Sequence, residues 1–179
     1  MKAREIVVNM IALHGGELVG RTRLQKQAYL LHRCGGKFQV DFVYHHYGPY
    51  SFDLADGLTD ARAEGQIEIE EKPGRYGIRY AIFRLRENVQ QRHGLGKLTA
   101  SDARRLLEVM NDEVSDIVLE IAATIAFLRD EGGYGDQAVA ETTVRKPLKA
   151  TAQRVRQALA LLRKLDLDTS GYKQVPGTI

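Results

Sequence analysis

Residues 66–85, "QIEIEEKPGRYGIRYAIFRL", decide how the first half of the chain is read. Two runs of alternating apolar and polar residues flank a loop that contains Pro73 and Gly74. Alternation of period two with a Pro-Gly interruption predicts a β-hairpin. Upstream, "AREIVVNMIAL" places Ile6, Val7, Met10, Ile11 and Leu13 on one helical face, and Gly15-Gly16 stop it. The short apolar piece "ELVG" follows, and then "RTRLQKQAYLLHRCGG", in which Leu24, Ala28 and Leu31 recur at i, i+4 and i+7. "KFQVDFVYHHY" is aromatic and β-branched, which predicts a strand over 38–47, and Gly48-Pro49 is expected to turn the chain. Ser51 is placed to cap a third helix over 51–64, with Asp53 at its positive end and Leu54, Leu58 and Ala61 on its buried side. The predicted order is helix, short strand, helix, helix, hairpin, which is the order of a winged helix with one inserted strand.

The second half reads as helical. "ENVQQRHGLGKLTAS" is polar and Gly-containing and is expected to link the halves. Thr99 or Ser101 can cap a helix from Ala103. Leu107, Val114, Ile121 and Leu128 recur every seven residues, with Met110, Ile117 and Thr124 three positions on. This seam, interrupted near Asn111-Asp112, fits either closure of the core or a homodimer through 107–128. A short helix from Asp136 to Val144 and a last one over 150–165 follow. The expected fold is α+β and mostly helical: a winged-helix-like domain over 1–92, a helical region over 97–167 and a flexible tail over 168–179.

Composition narrows the class of protein. The chain of 179 residues is 44% apolar and 27% charged, as expected of a globular domain or two small lobes. No apolar run approaches the ~20 residues that span a bilayer. The N-terminus begins with cations and an apolar run, but Glu5 and Asn9 interrupt it, so an amphipathic helix and a cytoplasmic location are expected. A single cysteine, Cys34, excludes an intrachain disulfide and a cysteine-cluster metal site. The net charge of +3 says little about nucleic acid. Its distribution says more: residues 106–128 carry five acids and no Lys or Arg, and 144–164 carry seven cations and no acid. Two neighbouring helices of opposite charge account for that pattern, with a polyanion patch as the sharper alternative.

Several stretches carry a family resemblance. "GRTRLQKQAYLLHRC", "YGPYS" and "LADGLTDARAEGQIE", followed by "LTASDARRLL", "EIAATIAFLRDEG", "VRKPL" and "ALALLRKLDL", resemble the YwgA-like family of prokaryotic proteins over nearly the whole chain. More distantly, the Lys-containing helix followed by a Tyr-Gly-Pro segment is similar to the Panacea-type antitoxin domain. That kinship implies a protein that binds and neutralises other proteins.

The candidate sites divide by chemistry. In a winged helix the third helix enters the major groove. Here Asp53, Asp56, Asp60 and Glu64 share one face of it. DNA carries a negative charge every ~1.7 Å of axis, so that face is repelled. Nucleic-acid binding, as the alternative function, must then use Arg21, Arg23, Lys26, Arg75, Arg79, Arg154 or Arg156. "EEK" at 70–72 has a nuclease-like form, but the acids Asp56 and Asp60 lie on a helix rather than an adjacent strand. His45 and His46 are expected on opposite faces of a strand, which is unsuited to a shared ion, and no metal or cofactor site and no catalytic set is assigned. Tyr44, His46, Tyr47, Gly48, Pro49, Tyr50 and Ser51, beside the acidic column, form the favoured protein-binding surface. The function expected is a non-catalytic regulatory or adaptor protein that binds another protein, with a winged-helix transcriptional regulator as the alternative.

Overall fold

The computed structural model describes residues 1–74, 77–87, 89, 94–112 and 114–167. The chain is α+β, with seven α-helices and two small antiparallel sheets among the described residues. In chain order the elements are α1 (Ala3–Leu13), β1 (Glu17–Val19), α2 (Arg21–Leu31), β2 (Val43–His45), β3 (Gly48–Tyr50), α3 (Phe52–Ala63), β4 (Ile67–Pro73) and β5 (Arg79–Leu85). The second half contains α4 (Ala100–Asn111), α5 (Asp116–Asp130), α6 (Ala138–Arg145) and α7 (Ala152–Lys164). The expected tail over 168–179 and the candidate Arg75 lie outside the described residues.

β5 is the centre strand of the larger sheet, ordered β1-β5-β4, with Leu18 opposite Phe83 and Ile69 opposite Phe83 on the other side. Phe83 is buried and Glu70 faces solvent, so the alternation read in 66–85 becomes an inner and an outer face. On the outer side Arg84 spans all three strands, with Nε 2.7 Å from Glu17 and Nη1 2.6 Å from Glu70. These are exposed pairs of small net worth, but they neutralise the hairpin's own charge.

Two sequence expectations change. The strand over 38–47 shortens to three residues, Val43–His45. Phe38 and Val40 are buried in a loop, Lys37 takes a left-handed backbone (φ 46°), and the Asp41 amide donates to Asp53. The β-forming composition of 37–42 is spent on core anchors, because among the described residues no strand pairs with it. The turn also moves. His46 and Tyr47 form the hairpin loop, and Gly48-Pro49 lie inside β3, paired with His45 and Tyr44.

The long seam breaks where expected. α4 ends at Asn111, and Ser115 caps α5 by accepting from the Val118 amide. Residues 118–128 of α5 are all buried, enclosed by α2, β3, α6 and α7. Ile121 and Leu128 of the seam are thus buried in the core of one chain, while Val114 and Ile117 are half-buried. A single apolar cluster runs from Ile6 and Leu24 through Phe83 to Leu119 and Leu162.

α1 packs across α3 at Gly57. A Cβ built there lies 2.8 Å from the backbone of Ala3 and Arg4. Alanine favours a helix interior over glycine by ~1 kcal/mol, whereas overpacking against backbone costs about 1–3 kcal/mol. Gly57→Ala is therefore expected to lose on the order of 1 kcal/mol net, read as a lower urea midpoint at unchanged slope.

Candidate functional site

The hairpin β2–β3 is held from below by α2. Gln25 and Ser51 exchange two hydrogen bonds: the Ser51 amide donates to Gln25 Oε1 (2.9 Å), and Gln25 Nε2 donates to the Ser51 carbonyl (2.9 Å). One residue along, Lys26 Nζ donates to the Pro49 carbonyl at 2.6 Å. Ser51 Oγ then accepts from the Leu54 amide and starts α3. Gly48 has φ 81° and sits on α5, where an added Cβ would lie 2.3 Å from Thr124 Oγ1. Only glycine allows both the backbone angle and that approach.

Beneath this hairpin lies a group of charges that the sequence reading did not assemble. Glu120 of α5 is 3% exposed, and it receives Lys146 Nζ (2.7 Å) and Lys149 Nζ (2.8 Å). Lys146 also donates to the His46 carbonyl (3.1 Å), so the segment after α6 is tied to the hairpin turn. Lys26 is 1% exposed. Its burial pushes the ammonium down to about 7; the nearby Glu120 opposes that shift, while Lys146 and Lys149 add to it. A clue was present in the sequence: Glu120 interrupts "DIVLEIAATIAFL", and Lys26 sits among Leu24, Ala28 and Leu31. A lone charge on an apolar face requires a partner, but periodicity does not say which one.

The protein-binding candidates divide in two. Tyr47 is exposed, with Lys149 Nζ 4.6 Å from its ring centroid. Tyr44 is half-buried, lies 6.1 Å from the Phe127 ring and carries Arg145 above it at 4.6 Å. Tyr50 lies between His45, whose ring is tilted to it, and Phe52, which meets it edge to face, each 5.1 Å away. His46 is exposed in the turn, and its ring lies 4.9 Å from that of His45. The expected opposite-face arrangement therefore fails, because His46 is in the loop and not in the strand. Gly48, Pro49 and Ser51 are buried scaffold and not surface. Asp53, Asp56, Asp60 and Glu64 are exposed on α3, as the spacing predicts, and line a groove against Lys2 and Arg4. Within it Glu64 pairs with Arg4.

The nucleic-acid candidates are largely committed within the fold. Lys26 is buried, so it cannot serve as the surface phosphate contact expected of it. Arg23 pairs with Asp116 (2.8 Å) and donates to the Val114 carbonyl (2.8 Å) and to Asn111 (3.1 Å), joining α2 to the α4–α5 junction. Arg21 pairs with Glu71 (2.7 Å), and Arg79 donates to the Glu71 carbonyl (3.1 Å). Arg154 is half-buried and donates to the Lys149 carbonyl. Arg156, with Arg163 and Lys164, is exposed and pairs with no carboxylate among the described residues.

The acids of the nuclease-like reading separate: Asp56 and Asp60 line the groove beside α1, and Glu70 lines a different cleft with Arg84 and Arg86. Among the described residues no group of three His, Cys, Asp or Glu is placed to hold a metal ion. Cys34 is half-buried and donates to the Leu165 carbonyl, and burial pushes its thiol up to about 11, so it is a poor nucleophile at neutral pH. No described helix is long and apolar enough to cross a membrane.

No protein-family model matches the chain. It is similar to "Uncharacterized protein YwgA" of Bacillus subtilis (strain 168), with 28% identity over 153 residues, which are 84% of this chain and 89% of that protein. A likeness over that share of the chain reaches into both halves.

Two outcomes follow from the charge group. Glu120→Gln leaves Lys146 buried without a carboxylate and is expected to destabilise by about 3 kcal/mol or more, whereas Lys149→Met, at a half-exposed partner, is expected to lose under about 1 kcal/mol in the same denaturant titration. The second concerns pH. Lys26 titrates near 7 when folded and near its ordinary 10.5 when unfolded, so the unfolded chain holds more protons between those values. Stability from this group therefore rises with pH across that window and is lowest below 7. The wild type is expected to gain on Lys26→Met between pH 6.5 and pH 8.5, measured as the difference in urea midpoints.

Proposed function

We propose that this protein is a non-catalytic regulatory or adaptor protein that binds another protein through a winged-helix-like N-terminal lobe, in the manner the antitoxin-type resemblance implies. The element order α1-β1-α2-α3-β4-β5 and the strand order β1-β5-β4 support the lobe. The single observation that carries the function is the surface of α3. The helix that would enter a major groove exposes Asp53, Asp56, Asp60 and Glu64, with Arg62 as the cation nearby. Beside its start stand the exposed rings of Tyr47 and Phe52. Carboxylates next to accessible aromatics suit a basic polypeptide surface, which gains both ion pairing and ring contact. A phosphate backbone is disfavoured by the net negative charge there, since Arg4 offsets only Glu64.

A second reading rests on α7. Arg156, Arg163 and Lys164 leave a cationic face that a winged-helix regulator could lay on DNA in place of α3.

One pair of measurements separates the two. Asp56→Lys with Asp60→Lys is expected to abolish co-purification of a defined, stoichiometric partner from the native organism while leaving the fold intact. The wild type is expected not to retain random duplex DNA at moderate salt. Duplex binding that weakens steeply with salt and is lost in Arg156→Gln establishes the DNA reading instead.

A further inference from the structure

The pairing of β4 leaves one of its two edges open. The Arg86 amide donates to the Gln66 carbonyl (2.9 Å) just before β4, and the Gly74 amide donates to the Ile78 carbonyl (2.7 Å) just after it. Both continue the register of β4 on β5, in step with Glu68–Arg84, Glu70–Ile82 and Lys72–Tyr80. In an antiparallel ladder alternate residues exchange hydrogen bonds with the partner strand, and those between them turn their amides and carbonyls away from it. The even-numbered residues of β4 therefore bond to β5, while Ile67, Ile69 and Glu71 point their backbone groups outward. β5 shows the complementary phase: its Ala81 carbonyl accepts from Gly20 and its Leu85 amide donates to Gly16, on the β1 side. In the order β1-β5-β4 no described strand covers the outer edge of β4.

A cleft of about 540 Å³ lies along this strand. Ile67, Glu68, Ile69 and Glu70 all line it. Successive strand residues point to opposite faces, so a cleft touched by four in a row takes in the backbone of the strand. At the Ile67 end it is bordered by Arg62, held there by the turn in which the Gly65 amide donates to the Arg62 carbonyl (3.0 Å). Arg84 and Arg86 also line the cleft, but they are taken: Arg84 pairs with Glu17 and Glu70, and Arg86 pairs with Glu68. Arg62 is exposed and pairs with no carboxylate among the described residues. The uncompensated charge of the cleft is therefore positive and sits beside the start of β4.

A second copy of the chain is a poor occupant. Antiparallel pairing of β4 with its own copy, with Ile69 opposite Ile69 or Glu71, sets Glu70 against Glu68 or Glu70 of that copy. Like charges directly opposite each other destabilise a strand pair. A strand that brings a carboxylate only to the Arg62 end avoids this conflict and meets the free cation.

We propose that the open edge of β4 is a docking site for the carboxyl-terminal end of another polypeptide, added as an antiparallel strand with its terminal carboxylate on Arg62. β4 runs from Ile67 towards Pro73, so a strand laid antiparallel on it finishes beside Ile67, where Arg62 stands. The amides of Ile67, Ile69 and Glu71 and the carbonyls of Ile67 and Ile69 supply the main-chain bonds. Beyond them the edge closes, because Arg79 occupies the Glu71 carbonyl and Pro73 has no N–H. Main-chain pairing gives affinity with little sequence demand, and the carboxylate fixes the direction of the added strand. This cleft is separate from the groove of the α3 carboxylates, and the proposal does not rest on the reading of that groove.

The probe is an acetylated heptapeptide of alternating threonine and valine with a free carboxyl terminus, titrated into the purified chain and followed by amide chemical shifts and hydrogen exchange. In the free protein the amides of Glu68, Glu70 and Lys72 are expected to exchange slowly and those of Ile69 and Glu71 fast. The peptide is expected to shift Ile67, Ile69 and Glu71 saturably and to slow exchange at Ile69 and Glu71. Its valines lie opposite Ile69 on the apolar face, so N-methylation of the valine amides is expected to abolish binding and N-methylation of the threonine amides to spare it. A terminal amide in place of the carboxylate is expected to weaken binding about two- to fivefold, the worth of one exposed ion pair. Arg62→Gln, which breaks no ion pair among the described residues, is expected to weaken the free acid by the same factor and to leave the amidated peptide unchanged. Absence of saturable binding, shifts centred away from β4, indifference to both N-methyl patterns, or equal binding of acid and amide overturns the proposal.

Discussion

The carboxylate of Glu120 is the constraint on which the rest of the molecule depends. It sits on α5, whose residues 118–128 are all buried, and is reached by Lys146 and Lys149 from the segment after α6. Lys26 lies close enough to feel its field while bonded to the Pro49 carbonyl of β3. Four separate pieces of the chain thus share one small polar region: α2, the β2–β3 hairpin, α5 and the α6–α7 connection. An apolar core tolerates sliding of one helix over another, because its contacts are non-directional. A buried ion group does not, since each misplaced proton leaves a charge without a partner. The hairpin's position against α5 is fixed on both flanks, by this group and by the close fit of Gly48 on Thr124.

The same logic explains why the surface around the hairpin is rich in exposed rings. Pro49 and Gly48 are buried and Lys26 is spent beneath them, so the hairpin cannot turn its neighbours inward. His45, Tyr47, Tyr50 and Phe52 are left on the outer side, where Ile78 and Tyr80 border one cleft with them. α3 leaves from Ser51 at an angle set by the Gln25–Ser51 exchange, and that angle lays Gly57 on α1 and leaves its acidic residues in solvent. The aromatic rim and the acidic column are therefore two products of one anchoring arrangement.

Much of this was legible in the sequence. Helices with a clean apolar stripe and a capping residue came out close to their bounds: α1, α3 with Ser51 and the break before α5 within a residue or two, and α4 three residues earlier than Ala103, with Thr99 rather than Ser101 as its cap. The α3 carboxylates are exposed as their spacing requires, because i, i+3, i+4 geometry is a property of the helix itself. What failed was whatever depended on a distant partner. Residues 37–42 have strand-forming composition but meet no strand. The Gly48-Pro49 pair reads as a turn, yet Gly48 is required by Thr124, 76 positions further along the chain. Lys26 looked like a surface cation of a basic helix, and its relation to Glu120 is invisible to any periodicity argument. The seam over 107–128 could be recognised as apolar, but only the enclosure of α5 by four elements shows that its residues 118–128 are buried within one chain.

The separation of Lys26 from Glu120 along the chain bears on how the polypeptide emerges during synthesis. The amino-terminal half, once outside the ribosome, contains a lysine destined for the interior whose carboxylate has not yet been made. Until α5 arrives, that amine is best satisfied by water, and the underside of β3 stays wet. The hairpin's seat against α5, where Gly48 meets Thr124, therefore forms only after the second half of the chain has been made.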